Sequence, residues 1–352
     1  MKMPLWLKRQ GWLLDLAILI LAVLAALAVG AVLLLMAGTN PLVAYKPLFL
    51  GAFSSRYGLT ETLVKAVPLM LVGLGIVIAY RGGVLNIGGE GQIILGAVAC
   101  AWVALTFSQL PGFLLAPLVL LAGIAAGAAW GLVPGVLKAT VGANEVLITI
   151  MMNNIAFLLL TYLIRGPMID PQEIAYGTGY PQSALIPAST WMLRLIPQSR
   201  LHLGLIIAVV CAALVYVFMW QTTLGYRIRV VGVNPRAARY AGIRVAQNMI
   251  VAMALSGGLA GLAGAIEVTG VHHRLLDGIS AGYGFTGIVV ALFARLHPAG
   301  VVPAAFFFAA LLVGADMMQR TVGIPSSLVV AIEGLVVIFV VSSEIFALRK
   351  ER

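Results

Sequence analysis

Long apolar runs separated by short polar connectors dominate the pattern of hydrophobic and polar positions in this 352-residue chain. A helix needs about 20 mostly apolar residues to cross a hydrocarbon core roughly 30 Å thick. Ten runs meet or approach that length, and the eighth is short enough to indicate a broken or re-entrant helix. They lie near 13–37, 62–80, 86–107, 113–136, 145–164, 203–220, 247–269, 283–296, 300–318 and 326–346. The pattern therefore predicts an all-α polytopic membrane protein with about ten transmembrane helices, forming one domain over 1–352.

Composition agrees with a membrane protein. Hydrophobic residues make up 62% of the chain and charged residues 10%, whereas a soluble domain has about 25% charged residues. The two cysteines, Cys100 and Cys211, both lie inside apolar runs, so neither a disulfide framework nor a cysteine metal site is expected. His272, His273 and Asp277 could suggest a metal site, but adjacent histidines do not share a helical face. We expect a solvated loop there and no metal.

The basic residues indicate an orientation. The first apolar run follows Lys2, Lys8 and Arg9, as in a signal peptide, but it is longer than the 7–15 residues of a signal core. The connector 221–247 contains five arginines and no acidic residue, and such connectors stay in the cytoplasm. Both termini are then cytoplasmic. The net charge of +10 reflects this orientation rather than a nucleic-acid-binding domain.

Two connectors on the opposite side are longer than simple turns. The proline-rich segment 166–201 is predicted to be an extracytoplasmic loop, and 38–60 a second extended one. Together they could form an outer mouth that meets a soluble partner. The alternative is that they merely connect spans.

Glycines recur on one face of two runs. Gly123, Gly127, Gly131 and Gly135 are spaced by four residues, and Ser256–Gly264 is similarly rich in small residues. Such faces let helix backbones approach closely. We interpret both as packing surfaces.

Polar residues inside a span are costly and therefore informative. Glu145, Thr149 and Asn153 share one face of the fifth run, with Asn154 beside them. This face either lines a pathway for a polar solute or fixes helix packing through hydrogen bonds. Glu333, in the last run, is expected to pair with a neighbouring helix.

The second polar focus is 81–92, where five glycines surround Glu90 between the second and third runs. Transporters place irregular backbone of this kind near their substrate. Glu90 could line a pathway with Arg81 as its counter-ion. The alternative is a structural turn that sets the angle between two helices.

Two negative findings limit the function. Leu255–Leu259 resembles the start of an ATP-cassette signature, but it lies in an apolar run and the chain contains no G-x-x-x-x-G-K-[ST] loop. Glu267 and Asp316 lie near outer span ends, where we expect them to be exposed. The sequence brings together no nucleophile, base and orienting group. We expect no enzyme activity and no catalytic or metal-ligating residues.

Three segments resemble motifs of one family. Asn86–Gln92 reads N-I-G-G-E-G-Q and resembles the N-I-G-x-E-G-Q motif of the permease subunits of ABC importers for nucleosides and related sugars. Gly142–Asn154 resembles their G-x-N-E-V-x-x-T-I-M-x-N segment, and Thr223–Ile243 resembles their cytoplasmic coupling segment. The resemblance extends over nearly the whole chain. It points to the nucleoside and simple-sugar branch of the branched-chain amino acid and ribose permease superfamily.

This resemblance implies an import pore in a prokaryotic cell membrane. The permease would pair with a second, homologous permease, bind cytoplasmic ATPase subunits that carry the ATP, and receive solute from an extracytoplasmic binding protein. No cofactor is expected on this chain. Candidates for the substrate pathway are Asn86, Glu90, Gln92, Glu145, Thr149, Asn153 and Asn154. Candidates for ATPase coupling, within 221–247, are Asn234, Pro235, Arg236, Ala237, Arg239, Tyr240 and Gly242.

The solute is predicted to be a nucleoside, whose ribose and base suit amides and a carboxylate along the pathway. A simple sugar or a branched-chain amino acid is the alternative within the same family. Two other classes stay open on the residues alone. They are an ion-coupled secondary transporter, in which a glutamate carries protons, and a membrane scaffold with no pathway.

Overall fold

The computed structural model describes residues 5–177 and 180–325 and scattered positions from 328 to 342, and the elements within these residues are helices. The helices are α1 (Leu5–Met36), α2 (Pro41–Phe53), α3 (Arg56–Arg81), α4 (Gly89–Thr106), α5 (Gly112–Val141), α6 (Glu145–Arg165), α7 (Pro171–Tyr176), α8 (Gly204–Gln221), α9 (Thr223–Val233), α10 (Pro235–Tyr240), α11 (Val245–Ile266), α12 (Tyr283–Phe293) and α13 (Pro298–Val322). A 3₁₀ turn at Ala188–Thr190 and a π-helical turn at Glu267–His272 complete the list.

Seven helices are long and apolar enough to cross a membrane: α3, α4, α5, α6, α8, α11 with its π turn, and α13. They coincide with seven of the predicted runs, and the all-α polytopic architecture is confirmed. The eighth run forms α12, whose 11 residues extend about 16 Å at 1.5 Å per residue. That is about half of a hydrocarbon core. The tenth run, 326–346, lies largely outside the described residues, and Glu333 lies outside them too.

One expected loop is a helix. The segment 38–60, predicted to be extended, contains α2, and α3 already begins at Arg56. The Asn40 side chain accepts a hydrogen bond from the amide of Leu42 at 3.0 Å, and Pro41 occupies the first helical position. A capping asparagine followed by proline is a strong helix start.

The described residues fall into two compact units, with divisions inside α3 and α13. In the unit formed by residues up to 62 and those from 307 onward, Leu34, Leu48 and Met318 share a buried core. The hydroxyl of Tyr45 donates to the carbonyl of Leu27 at 2.6 Å. This bond ties α2 to α1.

The second unit, Leu63–Phe306, contains every candidate site residue. Its α3 is buried on all sides from Ala66 to Ala79, as expected of a helix at the centre of a bundle. α4, α5 and α11 pack against one another, and Gly75 of α3 lies against Ser256 of α11.

Glycines set the spacing of α4, α5 and α11. A Cβ atom on Gly127 of α5 would collide with the carbonyl of Gly257 on α11, and one on Gly96 of α4 would collide with Gly261. The four glycines of the α5 ridge are all buried. The predicted packing role of both glycine faces is confirmed, because the helix backbones are themselves in contact.

The segment 166–201 is folded onto the end of α11 rather than extended. The amide of Ile186 donates to the carbonyl of His273 at 2.9 Å, and the amide of Met192 to that of Thr269 at 3.0 Å. The indole of Trp191 stacks on the His273 ring with centroids 4.0 Å apart. The segment therefore covers the π turn. On which side of the membrane it lies stays a prediction.

Two expectations about this region are wrong. Glu267, expected to be exposed, is 3% exposed and lies 3.6 Å from the imidazole of His272. The 272–273 pair, expected in a solvated loop, instead ends the π turn and is partly buried. Burial, and then His273, hold the pKa of nearby His202 down at about 4, so this ring is neutral at physiological pH. Glu267 is thus buried in a turn that local sequence suggested was exposed.

Candidate functional site

The glycine-rich segment between α3 and α4 is non-helical, as its composition predicted. Hydrogen bonds of the Asn86 side chain stabilise it. The Asn86 side-chain amide donates to the Gln92 oxygen at 2.9 Å and to the Ser256 hydroxyl at 2.8 Å. The amide of Gly88 donates back to the Asn86 oxygen at 2.9 Å. Asn86 and Gln92 are 3% and 1% exposed. Their hydrogen bonds close the break between α3 and α4 and join it to α11.

Asn153 extends this arrangement from α6. Its side-chain oxygen accepts from the amide of Gly91 at 2.9 Å, and its nitrogen donates to the carbonyl of Ile87 at 2.9 Å. A Cβ on Gly91 would come within 3.0 Å of both Asn153 and Trp130. Asn153 therefore satisfies the unpaired backbone groups at the start of α4.

Glu90 connects α4 to the short helix α12. Its carboxylate accepts from the amides of Gly282 at 2.9 Å and Gly284 at 2.6 Å, and from the side chain of Ser280. Gly282 caps α12 in a left-handed conformation, with φ of 77°. A carboxylate at a helix N-terminus satisfies amides that have no partner inside the helix and favours the positive end of its dipole.

Arg81 is not the counter-ion of Glu90. Its Nε donates to the carbonyl of Leu296 at 3.0 Å, and its guanidinium lies over the ring of Trp220. The expected Arg81–Glu90 pair is therefore wrong. The carboxylate is neutralised by backbone dipoles instead, because the start of α12 lies closer to it than any arginine of α3.

A cavity of about 310 Å³ lies beside this cluster and contains Glu90, Asn153 and Asn154 in its wall. Two phenylalanines, Phe157 of α6 and Phe285 of α12, are about half exposed and also line it. The remaining lining residues are Ile94, Gly278, Ser280, Ala281 and Gly282. Aromatic faces next to a few fixed polar groups are typical of small-molecule sites.

The other predicted pathway residues do not line this cavity. Thr149 is fully buried and donates to the carbonyl of Glu145 at 2.7 Å. Glu145 pairs with Lys138 of α5 at 2.8 Å, at the beginning of α6. Of the seven candidates, three surround the cavity, two close the backbone break, and Thr149 and Glu145 belong to the α6 start. Their part in solute passage stays a prediction.

Sequence reasoning missed the contribution of 278–285. Its glycines, Gly278, Gly282 and Gly284, mark irregular backbone before a short apolar run, much as the glycines before α4 do. This similarity to the segment before α4 could have identified 278–285 as a second break next to the site. The pairing with Glu90, which lies 192 residues from Gly282, was not visible locally.

The basic connector forms two short helices. The Asn234 side chain accepts from the amides of Arg236 at 3.0 Å and Ala237 at 3.1 Å, so α10 begins at Pro235, where the sequence indicated a helix start. Ala238 is buried, whereas Tyr240 is 95% exposed. Gly242 follows with φ of 76° and ends the turn. The helix thus presents an arginine and tyrosine face outward.

A groove of about 850 Å³ runs along this connector. Arg227 and Arg244 line it, and the described residues in its wall include no carboxylate. The side-chain oxygen of Asn248 is buried there without a hydrogen-bond partner among the described residues. The groove therefore offers positive charge to whatever contacts this face.

The fold and the site together define a multi-pass membrane protein with a polar, aromatic-lined cavity beside a broken helix. Residues 58–341 match the family described as branched-chain amino acid transport system / permease component. The chain belongs to this family. It is a transport component rather than an enzyme.

Curated relatives are similar over most of their length. The chain is 39% identical to the glucose ABC transporter permease protein TsgB13 of Haloferax volcanii, over 93% of this chain and 87% of that protein. It is 37% identical to the guanosine ABC transporter permease protein NupP of Bacillus subtilis, over 92% of each chain. It is 35% identical to the nucleoside ABC transporter permease protein NupB of Lactococcus lactis subsp. cremoris, over 91% of this chain and 89% of that protein. The resemblance to permease subunits of ABC importers is confirmed.

Proposed function

We propose that this permease forms the pathway of an ATP-driven importer for nucleosides in a prokaryotic cell membrane. The observation that carries the solute assignment is the cavity beside Glu90, which combines two half-exposed phenylalanines with amide and hydroxyl groups. A nucleoside has a flat base that stacks on aromatic rings and a ribose that forms hydrogen bonds. Relatives named for guanosine and for nucleosides support the same assignment.

The cavity chemistry favours a neutral solute. Its carboxylate, Glu90, already accepts three hydrogen bonds from protein groups, and its lining residues include no arginine or lysine. The Asn153 amide is likewise engaged with backbone. Asn154, which is exposed, and the two phenylalanines are therefore the groups most available to a passing solute.

Uptake of labelled guanosine by the complete transporter in proteoliposomes tests this assignment. Replacing Phe285 or Phe157 by alanine is expected to lower the uptake rate about tenfold, because stacking of a base on an aromatic ring contributes about 1–3 kcal/mol. Phe113→Ala is the matched control, since Phe113 is 77% exposed and does not line the cavity.

A sugar is the second candidate, because one relative is named for glucose. A sugar has no flat base to stack on the two phenylalanines, so their removal should affect its uptake less than that of guanosine. Glucose uptake that exceeds guanosine uptake, or phenylalanine variants that transport guanosine normally, would rule out the nucleoside assignment.

The family and the exposed connector support a proposal for the partners. We place a second permease, cytoplasmic ATPase subunits and an extracytoplasmic binding protein around this chain, with both of its termini in the cytoplasm. The ATPase subunits bind the ATP and contact α10. Exposed arginine and tyrosine side chains are enriched where protein surfaces meet, and Tyr240 is 95% exposed. The arginines of the connector also favour its cytoplasmic location.

Replacement of Arg236 and Arg239 by alanine is expected to lower solute-stimulated ATPase activity about fivefold, because arginines at the centre of an interface often dominate its energy. Affinity for the binding protein should be unchanged, since that protein would dock on the opposite face. Arg165→Ala, at the exposed end of α6, serves as the control. ATPase activity that remains fully coupled in the double variant would place the contact elsewhere.

A further inference from the structure

Trp220, near the end of α8, lies against two arginines from different elements. The guanidinium carbons of Arg81 and Arg229 are each 5.4 Å from the centroid of the Trp220 ring. Arg81 is the last residue of α3, and Arg229 lies in the middle of α9. The fold therefore brings two positive charges, one from α3 and one from α9, to the same indole.

Within the described part of the chain, neither guanidinium has a carboxylate as counter-ion. The Nε atom of Arg229 is buried and has no hydrogen-bond partner among the residues that the structure describes. The two guanidinium carbons can lie at most twice 5.4 Å apart, so they repel each other. An anion between them would remove that repulsion and supply the missing acceptor.

The aromatic residues place the cluster at the depth of lipid headgroups. Tyr216 stacks on Trp220 with centroids 5.6 Å apart, and His297 packs against both rings. Tryptophan and tyrosine are enriched where a span meets the membrane–water interface. Both α3 and α8 are candidate spans that end at this cluster, the first at Arg81 and the second one residue after Trp220.

We propose that Arg81 and Arg229 bind the phosphate of an anionic membrane phospholipid, with Trp220 as the platform that orients them. A guanidinium matches the geometry of phosphate oxygens and can bind two of them at once. Basic pockets between transmembrane helices are suited to lipid headgroups. A lipid with net negative charge is favoured over a zwitterionic one, whose ammonium group the arginines would repel. The bound lipid would fix α9, and with it the connector, against the end of α3.

Native mass spectrometry of the full-length protein in detergent, titrated with phosphatidylglycerol, tests the site. Arg81→Gln and Arg229→Gln are each expected to weaken the first lipid adduct about fivefold, the usual effect of one basic residue near a membrane surface. Arg229→Lys should retain most of the binding because it keeps the charge. Arg227→Gln is the matched control, since this arginine lies on the same helix but lines the groove instead.

Titrations with phosphatidylcholine and with inorganic phosphate complete the experiment. The proposal is supported if the unsubstituted protein binds phosphatidylcholine and inorganic phosphate weakly, and if only the Arg81 and Arg229 variants lose binding of phosphatidylglycerol. Equal loss in Arg227→Gln would show nonspecific attraction, and tight binding of inorganic phosphate would show a site for a free anion. Either result overturns the lipid assignment. If Arg81→Gln does not fold, because its bond to Leu296 is lost, Arg229→Gln carries the test alone.

Discussion

Substitution of Gly257 by alanine is expected to destabilise the protein severely, whereas the same substitution at the next residue, Gly258, should be tolerated. A Cβ on Gly257 would collide with the carbonyl of Gly127 on α5, and it would also lie 3.2 Å from the Cα of Gly131. A Cβ on Gly258 would find its nearest atom, in the side chain of Ile124, at 3.4 Å, an ordinary contact distance. Both residues lie in the middle of α11, so they gain equally in helix propensity.

The expected difference in stability between the two variants is large because the new methyl group of Gly257→Ala meets backbone rather than a side chain. A side chain can move to another rotamer, but the Gly127 carbonyl belongs to a hydrogen-bonded helix and can move only if α5 and α11 separate. Overpacking of a core costs about 1–3 kcal/mol even when side chains yield. We expect at least the upper end of that range for Gly257→Ala. This is a large part of the 5–15 kcal/mol that stabilises a typical domain.

The measurement is the temperature at which the purified protein loses its monodisperse peak in size-exclusion chromatography. Gly257→Ala should lose the peak several degrees below the unsubstituted protein, and Gly258→Ala should not. Equal behaviour of the two variants would mean that α5 and α11 are not in backbone contact, and the described packing would be wrong.

Replacement of Glu90 by glutamine is expected to lower transport at least tenfold while the protein still folds. Glutamine has nearly the same shape as glutamate, but an NH₂ group replaces one of the two acceptor oxygens of the carboxylate. That group would face either the Gly282 or the Gly284 amide, which now donate to the carboxylate at 2.9 and 2.6 Å. A hydrogen bond to a charged group contributes about 1.5–3 kcal/mol, and one bond would become a clash between donors.

This experiment separates two roles for Glu90. If the carboxylate positions α12, backbone amides from Gly282 to Thr286 should exchange hydrogen faster in Glu90→Gln, and transport should fall for every solute. If it contacts the solute instead, exchange should be unchanged and the order of preference among solutes should shift. Glu173→Gln is the control, because Glu173 is a carboxylate outside the spans that pairs with Gln182.

Normal transport and normal amide exchange in Glu90→Gln would contradict both roles. Glu90→Asp adds a further test of positioning. Its shorter side chain keeps the charge but cannot reach both amides, so it should expose one of them.

The helices that cross the membrane were predictable because each is encoded locally. Apolar runs such as that of α8 need no distant partner to be recognised, and the start of α10 follows from a capping asparagine before a proline. The glycine faces of α5 and α11 were predictable too, since a four-residue spacing places small residues on one side of a helix. Only the tertiary structure shows that these two glycine faces contact each other.

The errors have a common physical origin. Glu267 was expected at an exposed span end, and 272–273 in a solvated loop, because they lie at the end of an apolar run and local sequence does not reveal a covering segment. The segment that covers them begins about a hundred residues earlier, at 166. The α2 helix was missed for a different reason, since Pro47 and Lys46 interrupt its apolar run.

The sequence by itself determined the environment and the family of this protein, because composition, run length and motifs are properties of short stretches. Only the tertiary structure decided what the polar residues of those motifs do. In a low-dielectric interior each polar group must pair, and its partner is whichever group the fold brings near. For Asn86 that partner is Ser256, for Asn153 the start of α4, and for Glu90 the start of α12. These choices leave Asn154 and the two phenylalanines facing the cavity.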